Sequence, residues 1–197
     1  MNSIGDQRLP RVHVYGHVSA QPKTIAEIFD GQHTKEAIAE SDLAIFAINP
    51  AAGIDQETIQ LWSTLSDYQL PRLVVVNELD GSDSDFDDAV LLANRVFDQL
   101  VTPYLVLHND AGDPTALIDL ETLEIIDYTS NPPSTHDSES EHKELVADFR
   151  EEYLEAIADA GEDAFEAGLL FPAIPVVITK GIGIDIVKSF IEKVARP

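Results

Sequence analysis

The sequence predicts an α/β fold, a mostly parallel sheet flanked by helices, on two observations. Residues 43–48 and 73–76 are short apolar runs without the alternation of half-exposed strands, as expected of strands buried on both faces of a parallel sheet. Segments of helical periodicity separate the strands, so the order reads β-α-β-α-β-α as far as Leu100. Right-handed crossovers then leave few topologies open.

Taken in order, residues 11–18 alternate well enough for a first strand ending near Gly16. A short helical pattern over 25–29 is broken by Asp30-Gly31-Gln32-His33, and Thr34 can cap a second helix running to about Ser41. The strand at 43–48 is stopped by Asn49-Pro50. After Ala51-Ala52-Gly53, Asp55 caps a helix with Ile59, Trp62 and Leu65 on one face. Pro71 opens the strand that ends at Asn77, and Asp80-Gly81-Ser82-Asp83 forms a turn. From Ser84, the residues Phe86, Val90, Ala93, Phe97 and Leu100 recur at helical spacing.

From Pro103 the texture changes. Residues 104–107 and 117–120 read as strands, and 123–128 can pair with the second as a hairpin. Residues 129–142 are poor in apolar side chains and read as a mobile stretch. A helix with Val146, Phe149, Tyr153 and Ile157 facing inward follows, then a last strand over 174–179. Gly181 and Gly183 punctuate the turn into a closing helix whose apolar face carries Val187, Phe190, Ile191 and Val194. The 197 residues thus make one domain, 1–197, with a small subdomain inserted at 104–165.

Acidic residues outnumber basic ones 36 to 12, a formal charge of −24 at pH 7. A field of that sign repels nucleic acid and argues against a broad phosphate-binding surface. It serves either a solvated, soluble face or a basic partner. The chain has no cysteine, which removes disulfides and thiolate metal sites. Six histidines lack metal spacing, and no HExxH occurs. Asp83, Asp85, Asp87 and Asp88 lack the glycine and terminal Glu of a calcium loop; acids at a helix start explain them. No metal site is expected. No apolar stretch is long enough to cross a bilayer, and Met1 to Pro10 lack the apolar run of a signal peptide. The expected setting is cytoplasmic.

The residues with most chemical content follow the strand at 73–76. Asn77 and Asp80 lie just past its carboxyl end, where open α/β sheets bind ligands. At that spacing they can read a purine base, the carboxylate accepting from ring N–H donors. Equally, Asn and Asp shape turns.

Together these segments resemble the guanine-nucleotide domain of the elongation factor G family of translational GTPases, including ribosomal protection proteins. Ser41-Asp42-Leu43-Ala44-Ile45-Phe46 and Ala51-Ala52-Gly53-Ile54-Asp55-Gln56-Glu57-Thr58 are similar to that family's strand, AxxGV turn and QT helix start. Pro71 to Asp80 is similar to the strand leading into its base-reading NKxD motif, with Asn77 and Asp80 in the guanine-reading places. Residues 113–128 look like its extra subdomain, with a VDLxxxxA strand pair. The resemblance covers residues 41–197 well and the first forty poorly. It implies a three-layer, P-loop-GTPase-like fold, truncated at the switch region, whose ligands would be GTP or GDP with Mg²⁺.

The chain departs from the family at each phosphate-side motif. Glu78 stands where NKxD has its Lys, whose stem packs over the base and bridges to the phosphate loop. A working phosphate loop reads GxxxxGK[ST]. Residues 16–24 supply the first Gly, the Lys and the Thr as Gly16, Lys23 and Thr24, but with one residue too many and Pro22 where the second Gly belongs. Proline has no N–H to donate and cannot take glycine's φ angles. A second register equates the first strand with the family's third and Gly16-His17 with a remnant of its DxxGH switch; the phosphate loop is then gone. Asp30-Gly31-Gln32-His33 is a poor second copy of that switch, and between Lys23 and Leu43 there is no room for the first switch and two strands. His17 or His33 could stand in for the family's water-positioning His, each without the surrounding motif. Thr179 and Lys180 are the nearest occupants of the family's Ser-Ala place, whose backbone N–H contacts guanine.

The resemblance and its departures imply a degenerate G domain, a non-hydrolysing pseudo-GTPase serving as a protein-binding module, linked to translation by analogy. The vestigial nucleotide-binding set is Gly16, Lys23, Thr24, Asn77, Asp80, Thr179 and Lys180, for GTP or GDP and Mg²⁺ held weakly if at all. Two alternatives stand. One is a divergent GTPase whose bent loop still binds nucleotide. The other is the structural subunit of a homo-oligomer, joined through the sheet edge left by the missing strands.

Overall fold

Six parallel strands form the main sheet of the computed structural model, which describes residues 8–81 and 85–195. Outside the described residues lie most of the stretch read before Pro10, the Ser82-Asp83 half of the turn read at 80–83, and the helix start read at Ser84. The strands are β1 (Val12–Tyr15), β2 (Gln32–His33), β3 (Leu43–Ile48), β4 (Arg72–Val76), β5 (Leu100–Val101) and, from the end of the chain, β10 (Phe171–Pro175). They lie in the order β2-β1-β3-β4-β10-β5, every neighbouring pair parallel. Helices α1 (Pro22–Ile28), α2 (Gln56–Ser66), α3 (Phe86–Ala93) and α6 (Ile184–Val194) flank the sheet. All six residues of β3 and all five of β4 are buried, the consequence of covering both faces of a parallel sheet. The α/β class is therefore as the apolar runs predict.

Between β5 and β10 the chain builds a second, antiparallel sheet, β6 (Tyr104–His108), β7 (Pro114–Asp119), β8 (Glu124–Asp127) and β9 (Ser134–Asp137), paired in sequence order. Helices α4 (Ser140–Leu145) and α5 (Ala147–Ala160) follow. This is the inserted sheet expected from the hairpin at 117–128. No helix among the described residues is long and apolar enough to cross a membrane.

Several local expectations are corrected. Residues 34–41 are not a helix: the Thr34 hydroxyl takes the Glu36 N–H and the Tyr15 hydroxyl takes the Ile38 N–H, so side chains satisfy backbone groups a helix would have paired. Gln32 and His33, read as a breaker, form the edge strand β2. The helix after Asp85 ends at Ala93, because the Asn94 side chain accepts the Leu100 N–H at 2.8 Å and turns the chain into β5. Residues 134–137, within the stretch read as mobile, pair with β8 although all four are exposed; edge-strand pairing is a backbone property. Phe149 does not face inward but is 44 % exposed. The last strand lies at 171–175 rather than 174–179, with Pro172 and Pro175 inside it, and 178–180 form a 3₁₀ turn.

A buried cation pins the start of β4. Arg72, 2 % exposed, lies between the rings of Trp62 and Phe171, its guanidinium carbon 4.3 Å from each centroid. It donates to the Trp62 carbonyl at 3.2 Å and the Ser66 hydroxyl at 2.6 Å, and pairs with Asp98 at 3.4 Å. Trp62 in turn donates its indole N–H to Asp98 at 2.9 Å and stacks on Phe97 at 4.3 Å. Cation–π contacts of this desolvated kind are worth about 2 kcal/mol. Arg72→Ala empties the slot between the rings and is expected to cost about 3 kcal/mol in urea denaturation. Arg72→Met is expected to recover at least half, since it refills the slot and Asp98, half-exposed, stays solvated.

At the same end of the sheet, Asp42 joins the entries to β1 and β3. Its carboxylate accepts the Arg11 N–H at 2.6 Å and pairs with Arg11 at 3.3 Å and Arg8 at 3.1 Å. Burial works to raise the Asp42 pKa, but these donors outweigh it and hold the carboxyl below its usual range. Because the folded-state pKa is the lower one, the contribution is present above the unfolded pKa near 3.8 and is lost as pH falls through the folded value. Asp42→Asn is expected to lower stability at pH 7 by no more than about 1 kcal/mol, the scale of a solvent-screened pair. The gap to the parent chain should narrow as pH falls from 3.8 through the lower folded-state value in acid-titration unfolding curves.

Candidate functional site

The carboxyl ends of β1, β3 and β4 converge on the loop at residues 16–21. β1 runs through this loop into α1, the strand–loop–helix path a phosphate loop requires. Gly16 opens the loop at φ 147°, and a Cβ there would collide with the Ala47 carbonyl oxygen on β3. Only glycine fits.

Beyond Gly16 the loop folds onto itself. The Ser19 N–H donates to His17 Nδ1 at 3.2 Å, the Ala20 N–H to the His17 carbonyl at 3.0 Å, and the Gln21 N–H to the Val18 carbonyl at 3.1 Å. Pro22, at the start of α1, has no N–H. Four consecutive backbone positions are thus closed to an anion. In a phosphate loop such N–H groups point at the phosphates. Gln21 takes the left-handed conformation at φ 54°, which lets the chain enter α1 despite the extra residue.

The loop's carbonyls face the sheet and are clamped there. Asn49 Nδ2 donates to the Ser19 carbonyl at 3.0 Å, and Asn77 Nδ2, on a residue 2 % exposed, donates to the Ala20 carbonyl at 3.1 Å. The two asparagines stand side by side because each follows a member of the Ile48–Val76 pair in the β3–β4 register. Gln21 Nε2 donates to the Glu78 carboxylate, tying the loop to the segment after β4. Glu78 itself sits at φ 62°.

The expected site residues divide into two groups. Asn77 meets the loop, and the Thr179 hydroxyl donates to Asp80 Oδ2 at 3.2 Å, so the segments after β4 and β10 come together. Lys23 is exposed on the first turn of α1, with Thr24 half-buried beside it. Lys180 turns away, donating Nζ to the Pro114 carbonyl of β7 at 3.1 Å. His17 serves the loop, and His33 bonds the Val14 carbonyl through Nδ1 at 3.0 Å. Among the described residues no group of His and acids could hold a metal ion. Sequence reasoning took Asn49 only as a strand stop and overlooked Gln21; the signal for Asn49 was an Asn at the same end of two neighbouring buried strands.

No protein-family model matches the chain. It is similar to proteins named elongation factor G-like protein: 25% identical over 173 residues to one from Mycobacterium tuberculosis, covering 76% of this chain and 24% of the relative. To one from Thermotoga maritima it is 24% identical over 186 residues, covering 85% and 26%. A crystal structure of a Thermus thermophilus protein superposes with a TM-score of 0.68 at 24% identity, over 81% of this chain and 27% of that one. The chain is G-domain-like and related to the elongation factor G family. It spans about a quarter of the length of the curated relatives it matches.

Against that family's NKxD, the substitution at Glu78 has a structural partner. The family's Lys bridges to the phosphate loop as a donor; here the same crossing is made by a carboxylate that accepts from Gln21. The mechanical link between strand end and loop persists with its polarity reversed. Because Asn77 is buried and single-handedly satisfies the Ala20 carbonyl, Asn77→Ala is expected to cost about 1–3 kcal/mol. Asn49→Ala, at a half-buried position, is expected to cost less, both read by chemical denaturation.

Proposed function

We propose that this chain is a non-hydrolysing, elongation-factor-G-like pseudo-GTPase that works in the cytoplasm as a protein-binding module. The observation that carries the proposal is the closed loop at 16–22. Ser19, Ala20 and Gln21 spend their N–H groups inside the loop, and Pro22 has none. A triphosphate with Mg²⁺ would have to break those bonds and meet the Glu78 carboxylate as well. The family's fold is kept around a loop whose central N–H groups are spent internally, which suits recognition of a macromolecule better than phosphoryl chemistry. A place beside the translation machinery follows by analogy with the relatives, whose name is elongation factor G-like protein.

One observation favours a second reading, a divergent nucleotide-binding GTPase. Asn77, Asp80 and Thr179 still gather at the strand ends where a guanine would lie. Assembly into a homo-oligomer through β2, the two-residue edge of the main sheet, is a third, and light scattering across a concentration series tests it.

Calorimetric titration of the chain with GTP, GDP and ATP, each with and without Mg²⁺, separates the first two. The expected result is no heat of binding for any of them. Guanine-selective binding tighter than about 100 μM, weakened by Asp80→Asn, would replace the pseudo-GTPase with the divergent GTPase.

A further inference from the structure

A cleft of about 640 Å³ opens between the connection from β8 to β9 and the start of α6. Tyr128, Ser130 and Asn131 line one wall, and Lys180, Asp185 and Lys188 the other. A smaller hollow of about 260 Å³ adjoins it, sharing Tyr128, Thr129 and Lys180. Both lie on the subdomain side of the last sheet turn, and neither is lined by the loop at 16–21.

The chemistry of this cleft runs against the rest of the chain. Where the sequence has 36 acidic residues to 12 basic ones, the cleft has two lysines and one carboxylate. That carboxylate is already engaged: the Tyr128 hydroxyl donates to Asp185 Oδ1 at 2.7 Å. Burial, followed by this contact, raises the Tyr128 pKa, so the phenol stays a donor at any ordinary pH. Lys180 gives one of its three N–H groups to the Pro114 carbonyl and keeps two. Lys188 makes no ion pair among the described residues. A cavity of this volume falls in the range of small-molecule sites. The chain's strong negative field disfavours an extended polyanion there, and two ammonium groups match a single oxyanion.

We propose that this cleft binds a small molecule bearing one oxyanion, phosphate or carboxylate. Lys180 and Lys188 supply the positive charge, and Ser130 and Asn131 the neighbouring polar contacts. Lys180 sits in the turn between β10 and α6 and also holds β7, so an occupant on its free N–H groups joins the subdomain to the main sheet. The site is independent of the pseudo-GTPase proposal and of the phosphate-loop remnant.

The test is titration of the full chain with inorganic phosphate, ribose 5-phosphate and lactate at fixed ionic strength, followed by calorimetry or NMR. At least one should bind saturably with a Kd of about 1 mM or tighter. Phosphate-bearing probes binding without lactate assign a phosphate ligand, and the reverse a carboxylate. Lys188→Ala, an exposed helix position, and Lys180→Met should each weaken that binding about tenfold, the scale of one charge-assisted hydrogen bond. Lys23→Ala should leave it unchanged. Absence of saturable binding by all three probes overturns the proposal. So does binding that survives Lys188→Ala, or binding that Lys23→Ala abolishes, which would return the anion to the loop at 16–24.

Discussion

Asn49 and Asn77 are the contact on which the functional end of this protein depends. Parallel pairing of β3 with β4 sets Ile48 against Val76, and the next residue on each strand is an asparagine. Their amides take the carbonyls of Ser19 and Ala20, and a peptide whose carbonyl faces the sheet turns its N–H elsewhere. In this loop those N–H groups find partners within three residues. The extra residue relative to GxxxxGK[ST] supplies the slack for that closure, and Pro22 brings no N–H of its own. One clamp therefore fixes the loop's position while the loop's own sequence decides how its N–H groups are paired.

Glu78 extends the same logic. A buried strand end next to a loop needs a crossing that resists shear, and either charge polarity can make one if the partner matches. Gln21 can donate its amide to a carboxylate as readily as it could accept from an ammonium. The exchange preserves the frame and changes the local field from one that attracts a polyphosphate to one that repels it. Structure and ligand affinity are thereby separated at a single position.

The parts of the fold legible in the sequence were those written in burial. β3 and β4 were evident because their side chains are apolar apart from Arg72 at the start of β4, and α2 because Ile59, Trp62 and Leu65 recur at helical spacing. The missed parts are set by backbone pairing or by distant partners. β2 and β9 are short and polar, and pair only because a neighbouring strand offers its edge. β10 starts three residues earlier than its apolar run suggested, because Phe171 and Pro172 pair with the short strand β5, and it ends before the 3₁₀ turn at 178–180. At the site, Asn77, Asp80 and Thr179 could be named from motif likeness, and the structure brings the segments bearing them together. The Gln21–Glu78 crossing spans 57 residues and could not be found without the fold. Lys180 was placed by its motif at the base and lies instead against β7, because the 3₁₀ turn at 178–180 points it toward the subdomain.

Trp62 is the chain's single tryptophan, and its surroundings make it an optical witness to one event. Its ring is stacked on Phe97, faced by Arg72 and hydrogen-bonded through nitrogen to Asp98. These partners come from the start of β4 and from the turn before β5, so the indole, carried on α2, senses the seating of that helix on the main sheet. Phe46 and Phe171, the other rings set against it, belong to β3 and β10 of the main sheet. Emission from this chain would thus follow the main sheet's assembly and stay blind to unfolding of the subdomain. Tyr104, Tyr128 and Tyr153 lie in the subdomain or at its border, and with Tyr15 and Tyr68 of the main-sheet side replaced by Phe they offer the complementary signal. A difference between the two traces would reveal whether the halves of this molecule come apart together.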